Sequence, residues 1–401
     1  MLLSASVVAL ATCGSAMAQE KAIKIGVLND QSGLYADITG PNSVVAAQMA
    51  VEDSGMVAKG WKIEVVSGDH QNKPDVGVNI ARQWFDRDKV DVIVDVPTSS
   101  VGLAVNNVVK EKNGVYLNSG TGSSDLTNSQ CSPNTVHWAY DTYMLANGTG
   151  SALVKNGGDT WFFLTADYAF GSALERDTTN AVTALGGKVI GSVRPPLNTP
   201  DFSSFLLQAQ SSKAKVIGLA NAGGDTINAI KQASEFGITA GGQKLAGLLM
   251  FITDVHSLGL KVASGLNYTT SFYWDLNDNT RGFSKRFQEK VKNKAMPTMV
   301  QAGVYASLIH YFKVLDAAGG NSRDGIKIVE AMKAMPTDDI IFGKGSIQPN
   351  GRKIHPAYLL EVKKPGESKG PWDYMKVVST IPADQAFTPI EKSACPMLKK
   401  T

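Results

Sequence analysis

Hydrophobic and polar positions alternate in blocks along this chain. A near-continuous apolar run, "AIKIGVLND", is followed by "NSVVAAQMAVEDSG", whose apolar residues recur at helical spacing between an Asn near its start and a Gly after its end. The cycle repeats with "WKIEVVSGD", "KPDVGVNIARQWFDRD", "VDVIVDV", "VGLAVNNVVKEKN" and "GVYLNSG". Strands that are apolar throughout, alternating with helices, predict a parallel sheet covered on both faces. A second series starts near Trp161: "TWFFLTAD", a helix from about Ser172, then "GKVIGSV", "DFSSFLLQAQSS", "AKVIGLANAGG", "DTINAIKQASEFG" and "QKLAGLLMF". It shares the rhythm of the first series but not its residues, which predicts two lobes of one doubly wound α/β architecture. From Asn267 the pattern changes. "NYTTSFYW" reads as a strand, and "TRGFSKRFQEKVKNK", "TMVQAGVYASLIHYFKVLDAAG" and "DGIKIVEAMKAM" read as helices. "YLLEVKK" and "WDYMKVVSTI" read as an antiparallel pair. No linker separates the lobes, so short crossings forming a hinge are expected.

The strand ends carry the candidate chemistry. The first-series strands run out into Asn29-Asp30-Gln31-Ser32-Gly33, Pro97-Thr98-Ser99-Ser100 and Asn118-Ser119-Gly120-Thr121-Gly122. In an open parallel sheet, ligands bind beyond the carboxyl ends of the strands. Small residues let a ligand approach the backbone, and hydroxyls and N–H groups hold a carboxylate without a buried lysine. The helix starting after "PTSS" adds a favourable dipole for an anion. One such stretch is ordinary turn chemistry. Two on successive strands point to a site.

Composition narrows the classes. The chain has 401 residues, 43% apolar and 19% charged, which is a folded protein of two or three lobes. The net charge of +3 comes from 39 basic and 36 acidic residues without a basic stripe, which argues against nucleic acid as a partner. No Walker sequence, strand-embedded G-x-G-x-x-G or G-x-S-x-G elbow occurs, so neither a cofactor nor a catalytic residue is assigned. His70, His137, His256, His310 and His355 are far apart and lack a second ligand at metal spacing, so no metal is assigned. Residues 1–18 read as a signal peptide: a short apolar run, then Ala16-Met17-Ala18 before the expected cleavage. No Lys or Arg precedes the run, which leaves a start further upstream open. Cys13 follows "LAT", a poor lipoprotein box. Export leaves Cys131 and Cys395, an even pair that reads as a disulfide in an oxidising compartment.

At "IKIGVLNDQSGLYADITG", "PTSS", "NSGTGSSDLT" and "TADYAFGSA" the sequence resembles the periplasmic leucine/isoleucine/valine-binding family, the type I solute-binding proteins of ABC transporters. The resemblance covers nearly the whole mature chain, in order. It implies two Rossmann-like lobes joined by three crossings, with lobe 1 spanning 19–139 and 272–346 and lobe 2 spanning 140–271 and 347–401. It implies a periplasmic monomer that gives its solute to an ABC permease in the inner membrane. The family's Ser/Thr carboxylate clamp falls on Ser99, Ser100 and Thr121, with Gly122 offering backbone. Its second-lobe aromatic falls on Tyr168 and a second-lobe strand end on Asn221 and Ala222. Amino-acid binders of the family carry an acidic residue for the ligand ammonium where this chain has "GLLMFITD", centred on Met250 and Phe251. Aromatic residues near the expected cleft, among them Tyr35, Trp138, Tyr140, Tyr143, Phe251, Tyr273 and Trp274, supply an apolar body-binding surface of which about half should face the ligand. The expected ligand is a small carboxylate with an apolar or aromatic body. A branched-chain amino acid, an amide or urea, an amine held by Asp30, Asp141 or Asp225, and a sensory role stay open.

Overall fold

The computed structural model describes residues 21–398. The expected signal peptide and Cys13 lie outside the described residues. Fifteen strands are present among them: β1 Ala22–Asn29, β2 Lys62–Asp69, β3 Val92–Asp95, β4 Val115–Asn118, β5 Thr135–His137, β6 Thr160–Thr165, β7 Lys188–Val193, β8 Val216–Ala220, β9 Lys244–Gly247, β10 Asn267–Thr270, β11 Thr337–Asp339, β12 Gly343–Ile347, β13 Lys353–Ile354, β14 Ala357–Val362 and β15 Met375–Ile381. Lobe 1 carries a parallel sheet of order β2-β1-β3-β4-β5, and lobe 2 one of order β7-β6-β8-β9. In each, the central strands are buried on both faces, as β3, β4 and β8 show along their whole length. That double burial is why their sequences are continuous apolar runs.

Both sheets reverse their winding direction beside their first strand, between β1 and β3 in lobe 1 and between β6 and β8 in lobe 2. At such a switch point the connecting helices leave to opposite faces and open a crevice beyond the strand tips. Three segments join the lobes, at 138–141, 271–277 and 355–356, matching the expected three-crossing hinge. The third lies later than the expected boundary after 346. Residues 347–354 remain with lobe 1, where β12 pairs β13 and Arg352 bridges to His137 at the end of β5. The tail is not wholly with lobe 2 either, because Cys395 is bonded to Cys131 of lobe 1.

The expected antiparallel pair is β14–β15, joined by β10 in a three-stranded sheet on lobe 2. Other expectations shift at their ends. The helix expected from Ser172 begins at Ala169, and the one through "WFDRD" stops at Gln83 before a wider turn over Trp84–Asp88. "NYTTSFYW" is a strand only to Thr270, because the chain there leaves for the other lobe. The sequence reading missed β5 and β11–β13, whose two to five residues are too short to show a period.

Candidate functional site

The strand tips of the two lobes face each other across a tightly closed cavity with a free interior of about 20 Å³. Lobe 1 contributes Tyr35, Ile38 and Thr39 after β1, Pro97, Thr98 and Ser99 after β3, and Gly120 and Gly122 after β4. Lobe 2 contributes Tyr168 and Phe170 after β6, Ala222 after β8, and Leu249 and Phe251 after β9. Tyr140 enters from the first crossing and Val300 from a distant helix.

The β3 tip is strained. Asp95, Val96 and Thr98 have φ of 77°, 53° and 68°. For the β-branched Val96 and Thr98 such conformations cost roughly 1–3 kcal/mol each and persist only where the surroundings enforce them. The surroundings are visible. Thr98 Oγ1 donates to Asn72 Oδ1, and Asn72 Nδ2 donates to Asp30 Oδ2 at 2.6 Å. Asp30 also accepts from the N–H groups of Gly33 (2.7 Å) and Tyr35 (2.8 Å), which shapes the loop after β1. Asn29 Nδ2 donates to Asp95 Oδ2 at 2.9 Å. Burial raises the Asp95 carboxyl to about 6, with the neighbouring Ser43 hydroxyl and the Asn29 hydrogen bond opposing the rise. The two carboxylates therefore fasten the floor and do not face a ligand.

Ser99 begins the helix Ser99–Lys112, so the free N–H groups of its first turn and the positive end of its dipole lie at the cavity. Ser99 Oγ accepts from Ser123 N at 3.1 Å, which leaves its proton to donate to a ligand oxygen. Gly120 and Gly122 are required by close packing. A Cβ on Gly120 would lie 2.6 Å from Pro97 N, and one on Gly122 would lie 2.8 Å from the rings of Tyr140 and Phe170. Tyr140 is held in turn, its hydroxyl donating to Gly120 O at 2.9 Å.

Across the cleft, the hydroxyls of Tyr35 and Tyr168 meet at 2.7 Å. Burial pushes both phenols upward, so both stay neutral. Beside them, Leu34 of lobe 1 packs on the glycine turn of Gly223 and Gly224. These contacts describe a closed cleft. Val300 reaches it because Thr298 and Gln301 form a reciprocal helix cap and also bond the loop after β1, Thr298 Oγ1 to Ile38 O (2.8 Å) and Gln301 Nε2 to Thr39 O (3.2 Å).

Of the residues the sequence pointed to, Ser99, Gly122, Tyr168, Phe251, Tyr35, Tyr140 and Ala222 line the cavity. Ser100, Thr121, Asn221 and Tyr273 do not. Thr121 turns its hydroxyl into the floor, donating to Val96 O at 2.7 Å, and its N–H donates to Asn118 Oδ1. Ser100, one residue into the helix, is rotated away from the cavity. Asn221 precedes the lining residue Ala222, and its Oδ1 accepts from Thr226 Oγ1 at 2.7 Å. Tyr273 packs with Trp274, Trp372 and Met375 in the second core of lobe 2. Tyr143 lines a wider groove on lobe 2, and Trp138 is buried at the hinge. The candidate carboxylates are also committed elsewhere. Asp225 accepts from Asn198 N and Thr199 N at 3.0 Å, and Asp141 caps a helix through Met144 N and faces Arg352. Thr98 lies within "PTSS" and Leu249 within "GLLMFITD", but nothing in the sequence signalled Val300.

Asp254 sits behind Phe251 and accepts from its N–H at 3.0 Å. Burial lifts its carboxyl from the ordinary 3.8 to about 7, the Phe251 hydrogen bond opposing and Asp37 adding to the rise. An acid with a higher pKa folded than unfolded takes up a proton on folding. Its contribution to stability is therefore greatest below about 3.8 and falls as pH rises towards 7. Asp254→Asn keeps an oxygen for Phe251 N and removes that titration. Relative to this variant, the parent should lose on the order of 1–3 kcal/mol between pH 4 and pH 8, read by urea unfolding at each pH. A difference that stays constant with pH would show that Asp254 does not titrate in this window.

Two doubly wound lobes with an uncharged cleft between their switch points define a ligand clamp of the type I periplasmic binding fold. The chain belongs to the periplasmic binding protein family, whose model matches residues 22–370. A crystal structure of a periplasmic binding protein from Burkholderia mallei is 54% identical, with a TM-score of 0.91 over 94% of this chain and 100% of that one. A branched chain amino acid ABC transporter periplasmic ligand-binding protein from Burkholderia xenovorans LB400 is 41% identical, with a TM-score of 0.82 over 94% and 99%. Leu/Ile/Val-binding protein homolog 6 of Brucella melitensis is 26% identical, covering 85% of this chain and 88% of its own length. The protein is thus an extracytoplasmic solute-binding component of the ABC-transporter type, and the family is not an enzyme family.

Proposed function

We propose that the protein captures a small monocarboxylate with an apolar or aromatic body and hands it to an ABC permease. The observation that carries this reading is the chemistry of the cleft: among the described residues, no charged side chain lines it. The Ser99 hydroxyl and the N–H groups of the helix start offer donors at one end, and Tyr140, Tyr168, Phe170 and Phe251 offer ring surface at the other. A carboxylate is served there by hydrogen bonds and the helix dipole. An α-ammonium would be buried without a counter-charge, which is strongly unfavourable. The names of the Brucella and Burkholderia relatives support a branched-chain amino acid as the second reading. It requires the ammonium to be met by neutral oxygens alone.

Binding couples to hinge closure, because a ligand that touches both lobes only in the closed arrangement shifts the population towards it. A permease would recognise the surface that closure creates. A thermal-shift panel of aromatic and aliphatic monocarboxylates, branched-chain amino acids, short amides and ureas tests the reading. At about a hundred times Kd, a monocarboxylate lacking an ammonium should raise Tm by about 3 °C or more. A panel in which only α-amino acids raise Tm would establish the second reading instead.

A further inference from the structure

After β15 the chain does not end on lobe 2. It runs across the hinge and is fastened to the other lobe. Asn147 Nδ2 of lobe 2 donates to Gln385 O at 2.6 Å, which holds the start of the segment. Phe387 then packs on the hinge itself. Its ring lies 4.0 Å below the guanidinium carbon of Arg352 and edge-on to His355 at 4.9 Å. Arg352 donates to Tyr140 O (3.1 Å) and Trp138 O (2.6 Å), and His355 Nε2 lies 3.0 Å from the same Trp138 O. Phe387 therefore covers the point where the first and third crossings are tied together. Beyond it, Ser393 Oγ donates to Thr127 O (3.0 Å), Ala394 N donates to Asn128 Oδ1 (3.3 Å), and Cys395 is bonded to Cys131. All three anchors belong to lobe 1.

We propose that this strap, residues 382–398, is a fourth tie between the lobes and biases the ligand-free protein towards the closed cleft. Rotation of one lobe against the other moves the Gln385 anchor relative to the Cys395 anchor. The chain between them is pinned at Phe387 and Ser393. Its anchors are all satisfied in the same structure in which Tyr35 meets Tyr168 across the cleft. The three crossings alone form a hinge about one axis, and the covalent bond holds a fourth strand of chain to both sides of it. The proposal rests on the two-lobed clamp and not on the identity of the solute, so its test needs no ligand.

Small-angle scattering of the full chain without solute reads the open and closed populations directly. The parent is compared with a Cys131→Ser/Cys395→Ser double variant and with Phe387→Ala, which keeps the disulfide. Near-UV circular dichroism verifies that each is folded at the temperature used. The double variant should have a radius of gyration about 1 Å above the roughly 21 Å of a compact chain of this length, with Phe387→Ala between the two. Equal radii in the three folded proteins would overturn the proposal. If the double variant does not fold, the Phe387→Ala comparison alone decides. Failure of the monocarboxylate reading would show separately, as a missing response in the thermal-shift panel.

Discussion

Replacing Arg352 by methionine should cost roughly 3–5 kcal/mol of stability, the usual price of stripping one partner from a buried ion pair. Arg352 is among the largest fully buried side chains of the protein. Its guanidinium lies 3.6 Å from the equally buried Asp141 carboxylate and donates to the carbonyls of Trp138, Tyr140 and Lys353. Burial draws the guanidinium down to about 10, with Asp141 opposing, and lifts Asp141 to about 6, with Arg352 opposing. Both groups are thus held charged at neutral pH by each other. Methionine fills much of the volume and keeps a contact with Phe387, but leaves Asp141 unpaired and Tyr140 O without this donor. Trp138 O retains His355. Urea unfolding at pH 7.5 checks the size of the loss. Arg352→Lys should fall between, because one ammonium cannot reach all three carbonyls. A methionine variant within 1 kcal/mol of the parent would mean that the pair contributes nothing to the hinge.

Gly122→Val should abolish solute binding, lowering affinity at least about a hundredfold, while the protein still folds. The first added carbon already lies 2.8 Å from Tyr140 and Phe170, and two further methyls have no room in a closed cavity whose free interior is about 20 Å³. Neither ring has an easy retreat. Tyr140 is bonded to Gly120 O and packs edge-on to Phe251, and Phe170 lies against Tyr168 with the rings tilted by 36°. Within the closed cleft the clash persists; opening carries Phe170 of lobe 2 away from the lobe 1 floor, and Tyr140 must give up its bond to Gly120 O. Calorimetric titration with the best solute from the panel, alongside the variant's own Tm, distinguishes a blocked site from an unfolded one. Retained affinity would place the solute elsewhere.

How far the sequence reached is clearest at the β3 tip. "VDVIVDVPTSS" announced a buried strand followed by small hydroxyl residues, and the cavity lies at that tip. The same stretch also supplied its own error, since Ser99 faces the cavity while Ser100 does not. The difference is one residue of helical rotation, about 100°, and no composition argument resolves it. Thr121 failed for another reason: its hydroxyl was claimed by Val96 O, an acceptor freed by the strained turn that Asn72 and Asp30 enforce from other strands.

The sequence by itself determined the two parallel α/β series, the polar strand ends and the Cys131–Cys395 pair. Those features are local: they follow from periodicity and residue type within a few positions. Tertiary structure alone decided which hydroxyls face the cavity, that Val300 joins its lining, that the third crossing lies at 355–356, and that the tail returns over Phe387 to lobe 1. Each of those depends on how elements, or successive residues of one helix turn, are set against neighbours from elsewhere in the chain, and hydrophobic pattern fixes which face is buried without fixing what is buried against it.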